Sequence, residues 1–485
     1  MIPRLVYSTL LLGLCARGQH TTNPDIDPTA LQDDMNTENL MSHLHTLQEI
    51  ADSNSGNRAF GLPGYQASVN YIWSQISNIP GTKIWKQDFL GNFSSSEAQL
   101  RVGKVDVPVV AVLKSPQTPD SGIEAELVAG PPGGAGFACN ETDYANLDVN
   151  GKIVLVERGA CGEVHGGKVM AAARAGAIAV IQYDNRPGNS SLQPSYPEEL
   201  PDYVPAGQIN QADGQRLIAQ LPSAGAPILA YFRQKQIREE RTTRNIFAET
   251  RGEDEDSDVI MLGAHLDSVQ TGPGINDNGS GSSLILELFR SVAKYRTKHK
   301  LRFAWWAAEE NVGLGSRFYC YNLTEFPTEA DKLLAYLNFD MVSRGSYYVG
   351  DGDGSTHGGQ ATPLGSEVIE KLWLDYFQGI GITAQEKRIG FDSDHFFFWQ
   401  ILQKPVGFLF TGVDPADDPC YHQACDGIGN VDPVMLTTNA RAAAYMTAVL
   451  ATNGTSLIPK SAGIVNTKRS LEEWGDGYSG CGHPH

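Results

Sequence analysis

Apolar positions follow one regime in the second half of the chain and another in the first. From Asp258 onward, short unbroken apolar runs recur: VIMLGA (259–264), LRFAWWAA (301–308), LLAYLNFD (333–340) and VGFLFTG (406–412). Runs that are short and apolar throughout suit strands buried on both faces. After the first of them, Ile285, Leu288, Phe289 and Val292 repeat at helical spacing. Strands alternating with helices predict an α/β fold, a mostly parallel mixed sheet with helices on both faces.

Upstream, apolar residues from Met41 to about Ile79 also keep helical spacing, interrupted by the turn-rich SNSGNRAFGLPGY, which predicts two helices joined by a loop. Residues 83–104 alternate like strands. Between about Val105 and Leu221 the runs VPVVAVL, IEAELVAG, KIVLVERG, AIAVIQY and VPAGQI are short, β-type and separated by Gly, Pro and Asn clusters, with one helix, KVMAAARAGA. No acid/histidine constellation accompanies them, so this stretch reads as a β-rich, non-catalytic module, with Arg158, Cys161, His165 and Lys168 structural or superficial. Strands resume at Ile228–Phe232 and Asn245–Glu249. Residues 19–40, polar and without periodicity, read as a flexible arm or short propeptide, and 456–485 as a Gly-rich tail.

Composition narrows the setting. The net charge of −19 argues against a nucleic-acid partner, and no run of 18 apolar residues offers a membrane span. The start, MIPRLVYSTLLLGLCARGQH, has a basic residue, a short apolar stretch and small residues near Ala16 and Gly18, the pattern of a secretory signal over 1–18. Removing it takes Cys15 and leaves six cysteines, with 15 possible pairings. Cys420 and Cys425 can close a small loop, Cys139 and Cys161 can tie one segment, and Cys320 with Cys481 is the remainder. Sequons at Asn92, Asn140, Asn189, Asn322 and Asn453 suit a secreted glycoprotein. Asn278 also begins one, but inside the candidate site, and is expected to stay unmodified.

The chemistry lies at the ends of the apolar runs. His265 and Asp267 end the first, Asp277 opens the following helix, Glu309 and Glu310 end the second, Asp340 ends the third, and His422 follows the fourth. Open α/β sheets assemble their sites at that edge. Two imidazoles and three carboxylates suit Zn²⁺ and exceed what one tetrahedral ion needs, so one carboxylate bridging two ions about 3.5–4 Å apart is expected. Adjacent acids ending a strand point apart, leaving one glutamate for metal and the other for proton transfer. Taken singly each has a plainer reading: Asp277 as a helix cap, the histidine as a packed residue, Glu-Glu as a solvated pair. His43 and His45 lie two apart on a helix and face different ways. DGDGS at 351–355 hints at a calcium loop, but position 12 is Thr362, not the glutamate of an EF-hand.

GAHLDSV, GINDNGSG, AWWAAEE, NFDM, SDH and CYHQACD resemble the motifs of the secreted dizinc aminopeptidases, over roughly 41–104 and 226–452. Residues 105–225 are similar to the protease-associated domain inserted in the aminopeptidase Y-like members. The resemblance implies the zinc exopeptidase fold and two Zn²⁺ per chain. It makes His265, Asp340, Glu310 and His422 metal ligands, Asp277 the bridge and Glu309 the general base. Asp267 would orient His265, and Tyr421 would stabilise the oxyanion. It also implies a cis peptide after Asp277 and a Cys420–Cys425 disulfide. Some relatives carry an arginine just before SDH that contacts substrate; this chain has Asp392. Peptide or protein N-termini with an apolar first residue such as Leu are the implied substrates, acted on by a secreted monomer. A carboxypeptidase of the same fold is the alternative, since it uses the same ligands.

Overall fold

The computed structural model describes residues 23–133, 136–159, 161, 166–185, 202–221, 226–357, 362–414 and 416–460. The signal-like segment, Asn189, His165, Cys481 and residues 461–485 of the tail lie outside these. Three helices open the described chain: α1 (Pro28–Asp34), α2 (Thr37–Asp52) and α3 (Pro63–Ile76). Residues 23–40 are thus not an arm. Asp27 caps α1 by accepting from Ala30 N, Pro28 takes its first position, and Leu31 and Met35 are buried in the main core. Only one narrow face is apolar, which is why the pattern reads as polar.

β1 (Lys83–Val102) then leads out of the main unit, with the short β2 (Val105–Val107) folded back on it. The insertion follows as β3 (Val110–Ala111), β4 (Ile123–Ala129), β5 (Ile153–Glu157), α4 (Gly167–Arg174), β6 (Ala179–Tyr183), β7 (Ala206–Ile209) and α5 (Gln211–Gln220). Four of its strands, β4 to β7, are parallel neighbours, and β3 closes the edge antiparallel. The return path is β8 (Leu229–Glu249), one strand of 21 residues where the pattern suggests two short ones. It pairs antiparallel with β1 from Lys83↔Glu249 to Val102↔Ala230, making a two-stranded ribbon. The polar middle of that ribbon hides the strand from periodicity.

The main sheet is completed by β9 (Val259–His265), α6 (Gly281–Val292), β10 (Lys300–Trp306), α7 (Leu314–Thr324), α8 (Pro327–Lys332) and β11 (Leu333–Phe339). Beyond these come β12 (Tyr348–Asp351), α9 (Ser366–Gly379), β13 (Gln385–Arg388), α10 (His395–Gln400), β14 (Val406–Phe410) and α11 (Pro433–Leu457). Strand order is β13-β12-β14-β11-β9-β10-β8, and β14, β11, β9 and β10 run parallel. β9 is buried along its whole length. Its alternate residues feed two cores: Ile260, Leu262 and Ala264 face the helices α2, α6 and α11, while Val259 and Met261 face the aromatic side with Trp306, Tyr336 and Phe398. Gly263 is required there, because a Cβ would lie 2.3 Å from Tyr336 Oη and 2.5 Å from Trp306 Nε1. The arrangement puts the carboxyl ends of β9, β10, β11 and β14 on one edge.

Candidate metal centre and active site

His265, the last residue of β9, points its Nε2 at two carboxylates, 3.1 Å from Asp277 Oδ1 and 3.3 Å from Asp340 Oδ1. His422 Nε2 lies 3.1 Å from Asp277 Oδ2 and 3.1 Å from Glu310 Oε2. The two oxygens of Asp277 are thereby divided between two imidazoles. Glu309 Oε2 stands 3.9 Å from His265 Nε2 and off that chain of contacts. Its backbone N donates to Asp267 Oδ1 at 3.1 Å, and His265 Nδ1 is 3.1 Å from Asp267 O. All six acids and histidines expected at the strand ends converge, with Asp267 behind them.

The local chain explains the convergence. The run after β10 ends in Ala308 at φ 57°, Met341 after Asp340 has φ 50°, and His422 itself φ 56°. Left-handed backbone at three non-glycine positions beside the site costs of order 1 kcal/mol each and is held by the surrounding packing. Glu309 and Glu310 therefore diverge in a turn beyond the strand, not by strand alternation. The Asp277–Asn278 peptide is cis. Asn278 Nδ2 donates to Phe339 O at 2.9 Å, and its Oδ1 accepts from Gly281 N at 2.9 Å, so its side chain is fully engaged and buried. The Cys420–Cys425 disulfide closes the loop bearing Tyr421 and His422, whose rings stack at 3.8 Å. Cys139–Cys161 is also formed, whereas Cys320 is a buried free thiol. Asn92, Asn140, Asn322 and Asn453 are exposed.

Supporting residues that the spacing of motifs does not reveal hold this edge in place. The Arg58 guanidinium is wholly buried and donates to the carbonyls of Leu266, Pro273 (2.9 Å) and Gly274 (2.6 Å), bracing the loop between His265 and Asp277. Asp426 accepts from the backbone N of both Asn276 and Asp277 at 3.0 Å. A relay runs from Trp306 Nε1 to Tyr336 Oη and on to Asn338 Oδ1; Asn338 Nδ2 donates to Ser393 Oγ, which donates to Asp340 Oδ2 at 2.7 Å. In the SDH motif it is the serine that touches one of the converging acids. His395 is buried, with Nε2 3.2 Å from Asp392 Oδ1. His43 is packed, with Nδ1 2.6 Å from Tyr71 Oη.

The electrostatics call for cations. Burial alone would lower the His265 pKa, but Asp340 and the hydrogen bonds to Asp267, Asp277 and Asp340 hold it well above the usual histidine value. His422 is raised in the same way by Glu310 and Asp277. Burial raises Glu310, and it raises Glu309 well above the carboxylate range, with Asp394, Asp340 and Glu310 adding to the effect. Asp394 is pushed up to about 8, chiefly by burial. Glu310 Oε1 is buried with no hydrogen-bond donor. Protons thus stand where positive charge is wanted, and one ligand atom each from His265, Asp277 and Glu310 lies within 4.8 Å of the others. The mixed imidazole and carboxylate set fits zinc.

Residues 245–447 match the profile of peptidase family M28, and residues 123–217 that of the PA domain. Leucine aminopeptidase 2 of Trichophyton rubrum is 35% identical over 492 residues, covering 96% of this chain and 95% of that protein. The chain belongs to peptidase family M28. An aminopeptidase of Pseudomonas aeruginosa (strain UCBPP-PA14) is 33% identical, covering 93% and 90%. Among solved structures, the aminopeptidase from Aneurinibacillus sp. strain AM-1 superposes with a TM-score of 0.62 at 26% identity, covering 91% of this chain and 98% of that one. BSAP, a zinc aminopeptidase from Bacillus subtilis, shares the fold at a TM-score of 0.67 and 23% identity, covering 87% and 96%. This M28 member is a zinc-dependent metallo-aminopeptidase with an inserted PA domain. Among its described residues, no helix is long and apolar enough to cross a membrane.

Proposed function

We propose that this M28 chain holds two zinc ions, one at His265 and Asp340, the other at His422 and Glu310, with Asp277 serving both. The observation that carries this reading is the division of the Asp277 oxygens between the two histidines. Zinc bound there would supply a Lewis acid for the scissile carbonyl and bring the pKa of bound water towards ~7. Glu309 takes a proton from the attacking water and returns it to the leaving amine. Its carboxyl, raised by burial, is pulled back towards the working range once cations offset the neighbouring acids. Asp267 fixes the ring of His265, and the Tyr421 hydroxyl, on the cavity wall, donates to the developing oxyanion.

The same cavity is lined by Asp277, Glu309, Glu310, Asp340, Asp392 and His422 together with Met341, Phe410 and Val413. Its charged lining is acidic apart from one histidine. That suits an α-ammonium and offers no cation to grip a C-terminal carboxylate, which favours aminopeptidase action over carboxypeptidase action. The three apolar residues suit an apolar first side chain such as Leu, in line with the names of the fungal relatives. We assign 41–104 and 226–455 to the peptidase domain and 105–225 to the protease-associated domain. The signal-like start, the disulfides and the exposed sequons support a secreted, glycosylated protein. Leu-p-nitroanilide and an N-acetylated dipeptide test the reaction: turnover of the free-amine substrate alone is expected, and cleavage of the acetylated dipeptide would replace this reading with a carboxypeptidase.

A further inference from the structure

The DGDG run that fails as an EF-hand lies at the end of β12, on the sheet edge covered by α9. We propose that Asp351, Asp353 and Glu370 bind one hard divalent cation of the calcium type, separate from the zinc centre. One carboxylate oxygen from each of the three lies within 4.8 Å of the others. The third acid comes not from the loop but from the second turn of α9, which is why loop spacing alone conceals the set.

Two of the three are taken out of solvent: Asp351 is 3% exposed and Glu370 4%. Asp351 Oδ2 is already occupied, accepting from Thr356 N (3.2 Å) and His357 N (3.0 Å) with His357 Nδ1 at 3.2 Å. Asp351 Oδ1 is buried and has no donor at all. Glu370 Oε2 accepts from Gly352 N at 2.9 Å and Asp353 N at 3.0 Å, which draws the loop onto the helix and brings the carboxylates together. A buried acceptor without a partner is costly, more so when it is charged, so the loop is expected to be organised around something that satisfies it. Among the described residues no lysine or arginine forms an ion pair with these acids, and Asp351 is paired with the partly exposed His357. Glu386 adds a fourth negative group, accepting from Thr356 Oγ1. Burial and the neighbouring Asp353, Asp351 and Glu386 push the Glu370 carboxyl up to about 7, the effect of gathering acids with nothing positive between them.

The donor set is all oxygen, against the mixed nitrogen and oxygen set at the zinc centre. Carboxylates mono- or bidentate, completed by water, match the six to eight oxygens that calcium takes and its tolerance of irregular geometry. Zinc would instead favour the imidazole-bearing site. The position suggests a structural role, since β12 lies between β13 and β14 and the cation would pin it to α9.

Zinc-loaded protein in chelator-treated buffer, titrated with CaCl₂ to about 10 mM, tests the proposal by calorimetry and thermal melting. One calcium per chain and a saturable rise in Tm of about 3 °C are expected. Glu370→Gln keeps an acceptor for the two amides and should lose both signals. Asp353→Asn, altered at an exposed side chain that leaves folding intact, should weaken calcium binding at least about tenfold. Asp106→Asn, elsewhere on the surface, should leave it unchanged. Absence of binding by the unaltered protein, or binding undiminished in Asp353→Asn, would overturn the proposal.

Discussion

Glu309 and Glu310 are neighbours in sequence with different surroundings, and the separate tasks proposed for them rest on where each carboxylate comes to rest. Glu310 reaches His422 at 3.1 Å, while Glu309 stays 3.9 Å from His265 and makes its backbone contact to Asp267. Glu309→Gln is therefore expected to keep its full zinc content by elemental analysis and lose about 10²–10⁴-fold in kcat; wild-type turnover would assign proton transfer to another group. Arg58 sits at the same scale but acts through backbone. Replacing it by Met strands three buried carbonyls, and urea unfolding should show a loss of about 3 kcal/mol with faster zinc release. The converging acids and histidines were legible in the sequence because each stands at the end of an apolar run or in the segment that follows it. Arg58 was not, since its carbonyl partners follow β9, some two hundred residues on, and its own surroundings, SNSGNRAFG, look like any turn.

Elements differ in how plainly they announce themselves. β9 and β11 are buried on both faces, so their sequences are apolar without interruption and their boundaries can be read directly. β8 is buried at its two ends and exposed from Ile237 to Glu240, so its middle carries no pattern and the pairing with β1 is what makes it a strand. α11 illustrates a different dependence. His299 Nε2 accepts from Thr455 N near its end at 3.3 Å, a bond that needs neutral imidazole. Burial, assisted by Lys298, lowers the His299 pKa below the usual value. The unfolded chain therefore binds more protons than the folded one from about pH 6.5 downwards to the depressed folded value, and stability contributed there is complete above ~6.5 and lost as the pH falls through that window. Melting temperatures measured from about pH 7 to 5 should fall, and less steeply in His299→Gln, whose amide oxygen accepts at any pH.

At the scale of the molecule, two units with separate cores are joined by paired strands. The hydrophobic clusters of the peptidase sheet and of the insertion do not share residues. Ser95 lies opposite Ile237 in the ribbon, so residues 96–236 can be replaced by an Asn-Gly turn without parting the strands below. The shortened protein is expected to fold and to cleave Leu-p-nitroanilide with kcat within about tenfold of the parent; insoluble or inactive protein would show that the insertion is part of the catalytic fold. The split organisation was visible as a change in composition near Val105, whereas the pairing of β4 with the outer end of β8, Ile123↔Phe232 to Glu126↔Leu229, was not. Pairing between strands far apart in sequence leaves no mark on hydrophobic periodicity.

The span from Ile237 to Glu240 is exposed, and of the residues opposite it, Asn92 to Ser95, only Phe93 is buried, against Phe60 and Ala308. Bending concentrates beyond that contact, where backbone hydrogen bonds face water and less side-chain packing resists. Gln270, on the lip of the catalytic edge, donates to Ser94 O at 2.7 Å. A swing of the outer strands would reach the mouth through that bond and through the packing of Phe93 on Phe60 and Ala308, so the stiffness of two strands would bear on the approach an incoming polypeptide meets.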